Sequence, residues 1–191
     1  MTPDDQTALL SLATLAIKAK ITHTPLPRIH TPDGILAETR GCFVTLTNGP
    51  MLRGCIGTFQ ASAPLGETIV EMAAAACDDP RFLTNPITPD ELPQLTIGVS
   101  VLSELTLTND PASLCLGTDG IYITNGFASG CFLPEVAPEC EMKTADEFLD
   151  TCCEHKAGLP AGAWKDPTTK VFLFTSEKFS KEPGCCGGSC H

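Results

Sequence analysis

Thr-Asn-Gly occurs twice in this chain, at residues 47–49 and 124–126, and both times a Gly-Cys pair follows, at 54–55 and 130–131. Asn-Gly between β-branched and apolar runs is a strong short-range signal for a hairpin, because tight hairpin turns need residues that accept positive φ. Each hairpin leads into a helical stretch, "PLGETIVEMAAAAC" (64–77) after the first and "TADEFLDTCCEHKAG" (144–158) after the second. Each copy thus reads as a hairpin followed by a helix. The pattern fits an internal duplication of a hairpin-plus-helix unit, or two hairpins that share common turn chemistry. The two copies are one position out of step between turn and Gly-Cys pair.

The rest of the chain fills in around these units. Residues 5–20 set Ala8, Leu9, Leu12, Leu15, Ala16 and Ala19 at helical spacing. A Pro-containing loop, "THTPLPRIHTPDG" (22–34), separates that helix from the first hairpin. "QLTIGVSVLS" (94–103) reads as a strand with Leu95, Ile97, Val99 and Val101 on one face, and "KVFLFTSEKF" (170–179) as a last strand. Pro64 suits the start of the second helix. Thr144 with Glu147 three residues on reads as a capping box, and Gly158 as a C-terminal stop. The predicted organisation is one domain over residues 1–180 and a Cys/Gly-rich tail over 181–191.

Composition narrows the function classes. The 191 residues allow one sizeable domain or two small lobes, and 42% hydrophobic with 18% charged residues is a globular balance. Twelve basic against 23 acidic residues give a net charge of −11 without a Lys/Arg cluster, which argues against a nucleic-acid surface. No apolar run of about 18 residues marks a membrane span. The N-terminus lacks the pattern of a signal peptide, so the cytoplasm is the expected location. The 11 cysteines then read as reduced thiols, small core residues or metal ligands rather than disulfides.

"LRGCIG" (52–57) carries the most chemistry. In an unbroken strand Arg53, Cys55 and Gly57 share one face, with Leu52, Gly54 and Ile56 on the other. A guanidinium near a thiol favours the thiolate, Gly57 leaves room beside it, and Gly54 suits a bulge that re-aims the thiol. A cysteine in a strand also serves as a small buried hydrophobe, and a buried arginine needs a partner.

These residues resemble the AMMECR1-domain family. "LRGCIG" matches its signature hexapeptide. "GCFVTL" (41–46), "DDPRF" (78–82), "ITPDELPQLTIGVSVLS" (87–103), "GTDGIYI" (117–123), "FLPEVA" (132–137) and "FLDTCCEHKAGLPAGAW" (148–164) follow the family's order, so the likeness covers about residues 5–180. The resemblance implies an α+β fold with a barrel-like, mainly antiparallel sheet, flanking helices and two related halves. It implies work alongside a Memo-like protein and a radical-SAM protein as component A of a three-part system. Its motif positions here are Arg53, Gly54, Cys55 and Gly57, then Asp79, Arg81 and Phe82, then Pro134 and Glu135. On that pattern Cys55 is a candidate nucleophile, with Arg53 and Glu135 as catalytic partners. Gly54, Gly57, Asp79 and Arg81 would surround a small anionic ligand, two arginines being suited to a phosphate or carboxylate; the alternative is that Asp79 caps a turn and pairs with Arg81 while Glu135 caps the next segment. Cys77-Asp78 departs from the apolar and then basic residues expected there.

The tail "GCCGGSCH" gathers Cys185, Cys186, Cys190 and His191, ligand types for zinc, nickel or copper(I). It resembles the nickel-binding tail of SlyD-type prolyl isomerases over about eight residues. Three functions follow as expectations: a small-ligand or substrate site at LRGCIG, a scaffold that docks a partner through the same face, and metal or redox handling by the tail.

Overall fold

Gly49, with φ of 55°, turns the chain after Asn48 and sets the first hairpin, β1 (Cys42–Asn48) and β2 (Met51–Thr58). The computed structural model describes residues 1–30, 32–59 and 61–183. The candidate metal ligands Cys185, Cys186, Cys190 and His191 lie outside the described residues. The described residues form two units, one of Met1–Val101 with residues 177–183, the other of Leu102–Ser176.

In the first unit, α1 (Pro3–Ile21) precedes the hairpin and α2 (Leu65–Cys77) follows it. The sheet is completed by β3 (Leu95–Leu102) and β8 (Ser176–Lys181), in the order β2-β1-β3-β8. Val44 and Leu46 pair across β1 with Val99 and Ile97, so one sheet face is continuously apolar. Leu9, Ala13 and Ile17 of α1 and Leu65, Ile69 and Ala73 of α2 cover that face, all of them fully buried. Each buried Leu, Ile or Val there contributes roughly 1.5–3 kcal/mol. Leu95, Ile97, Val99 and Val101 are buried together as their alternation predicts. Of the stripe expected on α1, Leu9, Ala16 and Ala19 are buried and Leu12 is half-buried, while Ala8 and Leu15 are exposed, Leu15 at 56%; Ala13, Ile17 and Ile21 complete the buried face. Asp4, Thr7, Ser11 and Lys18 mark the exposed face, on which Ala8 and Leu15 also fall; Ala13 and Ala16 supply the flat surface that packs.

In the second unit, β5 (Gly120–Thr124) and β6 (Ser129–Phe132) form the second hairpin. With β4 (Thr106–Thr108) and β7 (Lys170–Phe174) they make a second antiparallel sheet, ordered β4-β7-β5-β6. A one-turn helix, α3 (Val136–Glu139), precedes α4 (Ala145–Cys152), which runs on through a wider turn at Cys153–Ala157. Thr144 accepts the Glu147 N–H at 3.2 Å, while the Glu147 carboxylate takes the N–H of Lys143 instead of closing the box on Thr144. Ile121, Ile123, Phe132, Phe148, Leu149, Trp164 and Val171 form the core.

The α+β reading holds, with the sheet realised as two four-stranded antiparallel sheets. Two elements differ from expectation. The three-residue β4 is too short and exposed to leave a pattern in sequence. The single strand expected over 170–179 is broken at Thr175, whose N–H donates to Ser103 Oγ and whose carbonyl accepts the Ser103 N–H, both at 2.9 Å. With both groups taken by Ser103, the chain leaves one sheet at Phe174 and starts a strand of the other at Ser176.

Candidate functional site

The ladder between β1 and β2 pairs Leu46 with Gly54 and Thr47 with Leu52, so Arg53 has no partner strand residue. Arg53 is the extra residue of a β-bulge. The second hairpin pairs Ile123 with Gly130 and Thr124 with Ser129 without interruption. The one-position mismatch between the two sequence copies is therefore Arg53 itself. The bulge also removes Arg53 from the alternation that would place it beside Cys55.

The Arg53 side chain is 5% exposed. Its Nε donates to Glu91 Oε1 at 2.5 Å and its Nη2 to Glu91 Oε2 at 3.0 Å, a two-pronged pair, and Nη2 also reaches the Asn85 carbonyl at 3.1 Å. Asn48 Nδ2 donates to the same Glu91 Oε1. Glu91 sits in the 3-10 turn Pro89–Gln94 that leads into β3. The guanidinium holds the Glu91 carboxyl below its ordinary range against the opposing effect of burial. Glu91 and Asn85 escape a reading by motif; the available signal is that a buried arginine demands a carboxylate.

The motif glycines are places of close packing. A Cβ on Gly54 would stand 2.0 Å from the Ala76 carbonyl oxygen, so the absence of a side chain lets β2 cross the last turn of α2. A Cβ on Gly57 would stand 2.3 Å from the ring of Phe43, which fills the space the glycine clears and meets Phe59 edge-on, centroids 5.0 Å apart.

Cys55 lies on the sheet face away from the helices, paired with Thr45, which pairs in turn with Gly98. Its Sγ is 3.2 Å from Thr45 Oγ1, and the residue is half-buried. On the free edge of β2, the Cys55 N–H donates to Asp79 Oδ2 at 2.9 Å and the Cys55 carbonyl accepts from Arg81 Nη2 at 3.3 Å. Asp79 and Arg81 thus stand where a neighbouring strand would. The pair is itself locked, Arg81 Nε to Asp79 Oδ1 at 3.0 Å and Nη2 to Oδ2 at 2.6 Å. Asp79 is buried, and the Arg81 guanidinium holds its carboxyl far below the ordinary carboxylate range. Arg81 is 56% exposed and stacks over Phe82, 5.5 Å from its centroid.

The first unit therefore gathers Arg53, Gly54, Cys55, Gly57, Asp79 and Arg81 on or against β2. Glu135 belongs to the second unit, where it precedes α3. Among the described residues, no group of three or more His, Cys, Asp or Glu converges to hold a metal ion, and no helix is long and apolar enough to cross a membrane.

A family model described as AMMECR1 matches residues 10–179. Among curated proteins, Protein TV1384 of Thermoplasma volcanium is 40% identical over 178 residues, covering 89% of this chain and 86% of its own. Protein TK0174 of Thermococcus kodakarensis is also 40% identical, over 187 residues, with 91% and 89% covered. The crystal structure of protein PH0010 from Pyrococcus horikoshii superposes with a TM-score of 0.80 at 35% identity, over 92% of this chain and 91% of that one.

Proposed function

The chain belongs to the AMMECR1 family, and from that premise we propose that it is a cytoplasmic component working with a Memo-like and a radical-SAM protein, with a small-anion site at Cys55 and Arg81. The observation that carries this reading is the clamp on the edge of β2. Asp79 fixes the Arg81 guanidinium through Nε and Nη2, and Arg81 holds the Cys55 carbonyl while more than half of its side chain faces solvent. A guanidinium held rigid beside a thiol suits a carboxylate or phosphate. Arg53, held through Nε and Nη2 by Glu91 and Asn85, supports the strand rather than the ligand.

The test is alkylation of the native protein with and without inorganic phosphate or pyruvate. The expected result is slower labelling of Cys55, unchanged labelling of the exposed Cys115 and Cys140, and loss of the protection in Arg81→Ala. A Cys55 labelling rate unchanged by either anion overturns the site. Copurification with a Memo-like protein tests the partner.

A second reading, a docking scaffold, is favoured by apolar side chains beside the motif: Met51 is 60%, Leu52 36% and Leu83 63% exposed. Under that reading Met51→Ser/Leu83→Ser abolishes copurification while Cys55→Ser leaves it unchanged.

A further inference from the structure

The first unit holds an apolar cavity of about 370 Å³ that the motif does not touch. Its floor is Ile17 of α1 with Leu95 and Ile97 of β3, all buried, and Leu92 and Pro93 of the Pro89–Gln94 turn line its side. Lys18 and Lys181 stand among its lining residues. They arrive from opposite ends of the chain, on α1 and at the end of β8. Neither has an ion pair among the described residues, in a chain of net charge −11. Glu182, also on the lining, accepts a hydrogen bond from Thr96 Oγ1 at 3.1 Å; its single negative charge against the two lysines leaves the lining with one positive charge in excess. The Thr14 hydroxyl is spent on the Leu10 carbonyl, so the interior offers an apolar body nothing polar to meet.

We propose that this cavity binds a small amphipathic carboxylate, its apolar body on Ile17, Leu92, Leu95 and Ile97 and its carboxylate between Lys18 and Lys181. The size lies in the range of small-molecule sites, about 300–1,000 Å³, and is too small for a helix of a partner protein. Lysine stems cover apolar surface while their ammonium groups stay at the water boundary, where a carboxylate would meet them. A bare inorganic anion would leave the floor unused, and an uncharged hydrocarbon would leave the lysines unanswered. The cavity wall is the same turn that presents Glu91 to Arg53, so an occupied cavity would pack against the support of the motif. The inference is independent of the Cys55 and Arg81 reading, since neither residue lines the cavity.

The experiment is calorimetric titration of the full chain with decanoate below its micelle concentration, with decanol and 2-naphthoate in parallel. The expected result is saturable one-to-one binding of decanoate. Lys18→Gln/Lys181→Gln is expected to weaken it about tenfold or more, the loss of charge-assisted contacts. Those lysines are surface residues, so the variant keeps the fold, which its circular dichroism verifies. Tighter binding of 2-naphthoate assigns the body as aromatic and supports the carboxylate site equally. Absence of saturable binding, an unchanged affinity in the double variant, or decanol binding as tightly as decanoate overturns the proposal.

Discussion

Gly54 and Gly130 are equivalents: each lies where the second strand of a hairpin crosses the end of the helical segment that follows. A Cβ on Gly54 would meet the Ala76 carbonyl at 2.0 Å; one on Gly130 would meet the Ala157 nitrogen at 2.4 Å and the Lys156 carbonyl carbon at 2.6 Å. In both cases the obstacle is backbone, which a rotamer change cannot relieve. Gly54→Ala and Gly130→Ala should each cost about 2–3 kcal/mol or more, as overpacking does. Gly98, where a Cβ meets only Thr45 at 3.7 Å, is the control. Gly98→Ala should fall within about 1 kcal/mol of the parent, on the stabilising side. Urea denaturation of the three variants decides, and a mild Gly130→Ala beside a severe Gly54→Ala would break the equivalence.

The Arg53–Glu91 pair is buried, with side chains 5% and 15% exposed. Removing one member strands the other. Arg53→Ala and Glu91→Ala should each destabilise by about 3–5 kcal/mol, and Arg53→Met/Glu91→Leu by less than either single change. A double-mutant cycle in urea, closed by Arg53→Ala/Glu91→Ala, measures the coupling, and strict additivity would rule the pair out as a unit.

Asp79 and Glu91 are both held below their ordinary carboxylate range, by Arg81 and Arg53 respectively. The unfolded chain binds protons at these carboxyls near pH 4, before the folded chain does. Their contribution is therefore complete above about pH 5 and is lost as the pH falls through about 4 towards the depressed values. The melting temperature followed from pH 7 to pH 3 should drop for the parent and drop less for Asp79→Asn, whose starting stability is lower. Parallel profiles would remove Asp79 from the linkage.

Burial pushes the thiols of Cys42 and Cys77 up to about 12 and that of Cys131 to about 11. At pH 8 their thiolate fraction is about one in a thousand or lower. Short iodoacetamide treatment of the folded protein should mark Cys115 and Cys140, Cys55 more slowly, and leave Cys42, Cys77 and Cys131 unmodified until urea is added. Peptide mass spectrometry reads each position. Early labelling of Cys131 would mean that β6 opens on the timescale of the reagent.

Both hairpins, α2 and the buried row of β3 were legible because turn residues and alternation repeat over many positions. Arg53 was not, for a physical reason. A bulge is a phase shift of one residue, and any reading by alternation places Arg53 on the face of Cys55. The clue was present as the one-residue mismatch between the copies, but without coordinates it looks like imperfect repetition. Glu91 was illegible because its bond to Arg53 spans 38 residues and no local pattern marks an acid that will be buried. The clamp of Asp79 and Arg81 on Cys55 joins backbone groups to side chains, and backbone groups carry no sequence signature. Resemblance to the family named these positions without saying what they hold.

β3 and β8 are hydrogen-bonded neighbours in the first sheet, yet residues 103–175 lie between them. Closing an unfolded loop of that length costs about 2–3 kcal/mol more than closing a short turn. The two bonds between Ser103 and Thr175 join the ends of the second unit to each other. Once that unit has folded, β8 is delivered to β3 as if by a tight turn. From this connectivity the intervening segment is expected to fold first and the edge strand β8 to dock onto β3 last. Pulse-labelling hydrogen exchange during refolding should protect the amides of Ile121 and Ile123 before those of Phe179 and Lys181.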